Sequence, residues 1–174
     1  MDFENYTPDA GRPVFAILVA GVLALVGCGP EDLPESPGDG HGHAHVAPHG
    51  GTPVALGDEL FHLELLLDSE AGRLSVYVLD GHMEEFIRIN VTSFQLDVRF
   101  GETSRSLQLE AVASTATGET TGDTSHFAAQ AEWLRNTPRF TGFIPAIKIR
   151  NHLFREVEFS FPEGNEETQE QHSK

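Results

Sequence analysis

Four histidines stand within nine residues of this chain: His41, His43, His45 and His49, in the segment HGHAHVAPHGG. Three of them alternate, and in an extended chain side chains two apart point the same way, about 6.6 Å apart along the strand. With Gly40 and Gly42 loosening the segment, two or three imidazoles can converge on one ion. Neutral imidazole suits zinc, copper(II) and nickel. Copper(I) is less favoured, because Met83 is the only methionine after Met1 and Cys28 is the only thiol. A mobile chelator loses chain entropy on binding, so firm binding calls for further ligands from a folded part. Two sets qualify: His62 with Glu64, an H-x-E pair on one face of an expected strand, and His82 with Asp80 in the turn Leu79-Asp80-Gly81-His82. Taken singly, each of these is more often an ordinary surface polar residue.

Covalent catalysis finds little support. The chain has no G-x-S-x-G elbow, no P-loop and no H-E-x-x-H. Asp123, Ser125 and His126 stand close in sequence, but triad members converge from separate elements and rarely from adjacent positions. These three read as a loop leading into a strand, and no enzyme is expected.

What precedes the histidines bears on where they act. Val14–Val26 is an apolar run of thirteen residues. As a helix it rises about 20 Å, short of the roughly 30 Å hydrocarbon core, so it matches the hydrophobic part of a signal peptide better than a membrane span. Leu25-Val26-Gly27-Cys28 closes it and resembles the lipobox of bacterial lipoproteins. The resemblance implies cleavage before Cys28, acylation of its sulfur and new amino group, and anchoring in an envelope membrane facing the periplasm. Each buried methylene of such chains contributes about 0.8 kcal/mol. Gly29, where an aspartate would signal inner-membrane retention in enteric lipoproteins, favours the outer membrane. The segment ahead of the apolar run departs from the pattern, with Arg12 against three acids. Acylation also consumes the only thiol, leaving imidazole and carboxylate as metal donors.

Residues 29–40, GPEDLPESPGDG, hold almost no apolar side chain and read as a flexible spacer. The formal charge is −16, and removing residues 1–27 takes away three acids and one base, leaving −14. A surface this acidic repels phosphate backbones and argues against nucleic acid as a partner.

From residue 54 the apolar pattern has period two. Phe61, Leu63, Leu65 and Leu67 alternate with polar positions, and after the turn at 68–72 Leu74, Val76 and Val78 complete a hairpin. Further strands are expected at Ile87–Val91, Phe94–Phe100, Leu107–Ala111, His126–Ala129, Phe140–Ile144, Ile147–Arg150 and Phe154–Phe161, with a break at Pro145. Ala131–Asn136 reads as a helical turn ended before Pro138, and 114–125 as a polar loop without core residues. Ten of the twelve phenylalanines lie after residue 60, where this core would form. Seven or eight short antiparallel strands point to an all-β domain, an immunoglobulin-like β-sandwich, over 54–162. It follows a leader at 1–27 and a tether at 28–53, and a polar tail at 163–174 completes the chain.

The stretch PHGGTPVALGDELFHLELLLD, followed by GRLSVYVLDG, resembles a segment near the start of the periplasmic adaptor subunits of heavy-metal efflux systems. It is also similar to uncharacterised bacterial His-rich lipoproteins with the layout of 41–162. The adaptor resemblance spans about 40 residues and lacks the coiled-coil hairpin and lipoyl-like halves, so it implies periplasmic metal association and no transport role. Two expectations follow. One is a lipid-anchored protein binding zinc or copper(II) through His41, His43, His45 and His49, with a metal-efflux or other envelope protein as partner. The other is a non-catalytic envelope interaction module whose histidines are incidental.

Overall fold

The computed structural model describes residues 46–165; the apolar leader, Cys28, the spacer, His41, His43, His45 and the tail from 166 lie outside the described residues. Eight strands follow one another: β1 (Thr52–Leu56), β2 (Phe61–Asp68), β3 (Arg73–Asp80), β4 (Ser93–Phe100), β5 (Thr103–Ala111), β6 (His126–Gln130), β7 (Phe140–Ile149) and β8 (His152–Phe161). A 3-10 helix, Glu132–Asn136, joins β6 to β7 where the helical turn was expected. All neighbouring strands are antiparallel, in the order β1-β2-β3-β6-β5-β4-β7-β8.

The all-β, antiparallel expectation therefore holds. The strands are not divided into two sheets as an immunoglobulin-like sandwich requires; they form one nearly closed sheet around a single core. Alternation shows which face of a strand is buried, but it is silent on whether the buried faces belong to one curled sheet or to two. Closure depends on the chain after β8. The Asn165 amide pairs with β1 like a short strand: its Oδ1 accepts from Ala55 N at 2.8 Å and its Nδ2 donates to Ala55 O at 3.1 Å. Thr52 Oγ1 donates to Pro162 O at 3.1 Å beside it. The N–H and C=O of Ala55 on the outer edge of β1 are thereby satisfied. Gly164 sits at φ 87° against the Pro53 carbonyl, where a side chain would collide with backbone.

The inward residues are those the alternation picked out, among them Leu63 and Leu65 of β2, Leu74 and Val76 of β3, Leu96 and Val98 of β4, and Phe127 of β6. Two expectations are corrected. Pro145 does not split β7; pairing with β8 continues on both sides, Ile144 with Val157 and Ala146 with Arg155. The buried set instead changes phase there, from Phe140 and Ile144 to Ile147 and Ile149, and Glu156 on the facing strand takes φ 54°. Proline lacks an N–H, so the chain accommodates it with a local distortion rather than a chain break. Residues 86–91 are not a full strand either. They are an extended segment held by single bridges, Leu79 to Phe86 and Ile89 to Thr124, with Ile87 and Ile89 buried in the core. Among the described residues, the core and the strand pairings all fall within 52–165.

Candidate functional site

Facing away from the core, three strands place polar and aromatic side chains side by side. Glu64 on β2 is opposite Tyr77 on β3, and Tyr77 is opposite His126 on β6. Directly paired residues have their Cβ atoms about 5 Å apart, so these three side chains form one row. Glu64 is nevertheless fully buried, because the turn before β1 folds over it.

That turn carries His49, the last of the four clustered histidines. Glu64 Oε1 accepts the backbone N–H groups of His49 at 2.7 Å and Gly51 at 2.9 Å, and Oε2 lies 2.8 Å from His49 Nδ1. A carboxylate oxygen accepts, so in the neutral imidazole tautomer that fits this contact the proton sits on Nδ1 and the lone pair on Nε2. A Cβ at position 51 would lie 2.6 Å from the Leu65 carbonyl oxygen, so glycine is what allows the turn to press against β2. The His49 ring stacks on Tyr77 with centroids 4.3 Å apart, and Tyr77 stacks on His126, also at 4.3 Å. Phe86 meets Tyr77 edge-on at 5.9 Å. With its side chain 39% exposed, His49 is still reachable from solvent.

A second buried carboxylate shapes the opposite wall. Glu119 accepts from Ser125 N at 2.8 Å, Ser125 Oγ at 2.7 Å and Thr117 Oγ1 at 2.6 Å. Burial alone would raise its pKa; these hydrogen bonds, with Arg88 nearby, outweigh burial and hold it below the usual glutamate value. The 114–125 segment adds nothing to the hydrophobic core, as expected, yet it buries Glu119, Thr124 and Ser125 as a hydrogen-bonded polar cluster. Arg88 binds the Thr117 carbonyl and approaches Asp123 at 3.4 Å. Together His49, Tyr77, Phe86, Arg88, Glu119 and His126 border a cleft of about 440 Å³.

The His126 pKa is lowered by burial first and by Arg73 and His49 next, against an opposing pull from Glu119. Its Nε2 is buried without a hydrogen-bond partner among the described residues. Burial likewise raises the Tyr77 phenol. Ser125 engages Glu119, Asp123 pairs with Arg88 and His126 stacks on Tyr77, so these sequence neighbours turn to different partners.

The remaining candidates separate. His62 shares the Glu64 face of β2, as expected, and is fully buried. His82 is 82% exposed on the turn after β3, 4.0 Å from Asp80. Asp80 itself closes that turn, accepting from the N–H groups of Glu84 at 2.8 Å and Glu85 at 2.9 Å. Those bonds hold its pKa below the usual aspartate value, although burial, the larger single influence, opposes them. Among the described residues no three His, Cys, Asp or Glu side chains gather closely enough to hold an ion, and no helix is long and apolar enough to cross a membrane. Tyr77, His126 and Glu119 were not expected at a site; the register between β3 and β6, which are far apart in sequence, is what joins them. No protein-family model matches this chain, and neither curated proteins nor solved structures show significant similarity to it.

Proposed function

We propose that this is a lipid-anchored envelope protein that binds a transition metal, zinc or copper(II), with His49 as the ligand fixed by the folded domain. One observation carries the reading: the buried Glu64 carboxylate grips His49 through Nδ1 and leaves Nε2 available. Metal-ligating histidines characteristically donate their other ring N–H to a carboxylate, which sets the tautomer and raises the basicity of the ligating nitrogen. The domain contributes a single oriented imidazole, so further ligands must come from His41, His43 and His45, four to eight residues upstream. The lipobox-like Leu25–Cys28 and the spacer would put this site beside an envelope membrane, where it can buffer metal or pass it to an efflux partner.

Titration of Zn²⁺ or Cu²⁺ into residues 29–174, beside a variant with His41, His43, His45 and His49 all changed to Ala, tests the reading. Saturable binding by the parent and its loss in the variant are expected. Equal, weak binding by both would refute it.

A further inference from the structure

A second cleft lies on the other side of Arg88. It occupies about 320 Å³ between the extended segment at 88–91 and the tip of the β7–β8 hairpin, and Arg88, Asn90, Lys148, Arg150 and Asn151 border it. Two features set it apart. Among the described residues that border it there is no carboxylate, in a chain with 27 acids against 11 bases. Lys148 and Arg150 are both exposed, and among the described residues neither forms an ion pair. Arg88 is largely neutralised by Asp123, so Lys148 and Arg150 supply the uncompensated positive charge.

The hairpin tip adds an independent observation. Ile149 pairs with His152, so Arg150 and Asn151 are the whole loop, and Arg150 takes φ 53°. A left-handed first loop residue in such a hairpin is ordinarily glycine, and a long side chain there is strained. Such a conformation is held by its surroundings, here the two-residue loop that closes the β7–β8 hairpin. The Arg150 guanidinium lies 5.8 Å from the centre of the Phe61 ring, which positions it without neutralising it.

We propose that this cleft binds an oxyanion, specifically a phosphate group, on Lys148 and Arg150, with the Asn90 and Asn151 amides as further donors. Charged N–H donors grouped without a competing carboxylate match the tetrahedral oxygens of phosphate. The acidic surface elsewhere repels anions at long range, but at about 0.15 M salt charges more than about 8 Å away are largely screened, and the local lining governs. A phosphate can arrive on a soluble molecule or as the headgroup of an anionic lipid.

The test uses ¹⁵N-labelled residues 29–174 at about 0.15 M salt, titrated with inorganic phosphate. Cosedimentation with vesicles of phosphatidylcholine, alone or mixed with phosphatidylglycerol, forms the second arm. Saturable shifts centred on Asn90, Lys148, Arg150 and Asn151 are expected, with affinity about tenfold or more weaker in Lys148→Gln/Arg150→Gln. Both substitutions are at exposed positions, and an unchanged amide spectrum elsewhere shows the fold retained. Added sedimentation with phosphatidylglycerol, lost in the double variant, identifies a lipid headgroup; phosphate shifts without it identify a soluble ligand. Absence of saturable shifts, or equal shifts in the double variant, overturns the proposal.

Discussion

Replacing Glu64 by glutamine isolates the contact on which the metal reading rests. The side chain keeps its shape, and its carbonyl oxygen can still accept from His49 N and Gly51 N. The group facing His49 Nδ1, however, becomes an NH₂ donor where a carboxylate oxygen stood 2.8 Å away. The bond either breaks or survives with the imidazole proton moved to Nε2, which then cannot ligate a metal. Hydrogen bonds to a charged partner contribute about 1.5–3 kcal/mol and neutral ones about 0.5–1.5 kcal/mol. With His49 partly exposed, Glu64→Gln should cost about 1–2 kcal/mol of stability, a modest fall in Tm. Metal affinity should fall further, by about 10–100-fold, as it does when a carboxylate behind a ligating histidine is lost. Competition titration with Zn²⁺ gives the affinity, and ¹⁵N NMR of the ring nitrogens gives the tautomer. A variant that keeps its Nδ1 proton and the parental affinity would refute the reasoning.

Other outcomes follow from the same structure. His126 holds its proton more weakly when folded, so stability is fully present above about pH 6.5, the ordinary histidine value, and falls as pH drops through it because the unfolded chain takes up the proton more readily. Urea denaturation at pH 7.5 and 5.5 should show this loss, and His126→Phe, which keeps a ring on Tyr77, should abolish it. Glu119 and Asp80, whose folded pKa values are lowered, contribute in a more acidic window: their stabilisation is lost below about pH 4.5 and 3.8, the ordinary values. Asn165→Ala removes both bonds that close the sheet at Ala55; it should cost about 1 kcal/mol and raise the tendency to aggregate, read by thermal melts and light scattering. Cys28→Ser should abolish acyl labelling and membrane retention while the β domain's circular dichroism stays unchanged.

Much of the fold was legible because burial on a strand has period two. Leu63, Leu65, Leu74, Val76, Leu96 and Val98 announced their faces, and hairpin turns joined neighbours in sequence. Closure was not legible: it rests on the Thr52 to Pro162 bond and on the amide of Asn165, in a polar stretch that otherwise reads as tail. Pro145 misled for a physical reason, since a missing N–H can be absorbed by a phase change in two paired strands. At the site, His49 and Glu64 were both named as metal candidates, but that the carboxylate grips the imidazole emerges only when the turn folds over β2. Tyr77 and His126 gave no local signal, because their adjacency depends on β3 pairing with β6 across 45 intervening residues, 81 to 125, that no periodicity spans. Glu119 was one acid among 27 until its donors were seen.

The central claim is that His49 binds metal through Nε2 while Glu64 holds Nδ1. Ring-nitrogen ¹⁵N NMR of residues 29–174 before and after one equivalent of Zn²⁺ tests it directly. The account predicts a large shift of His49 Nε2 with the Nδ1 proton retained. An unshifted His49 Nε2 under saturating Zn²⁺ would contradict it.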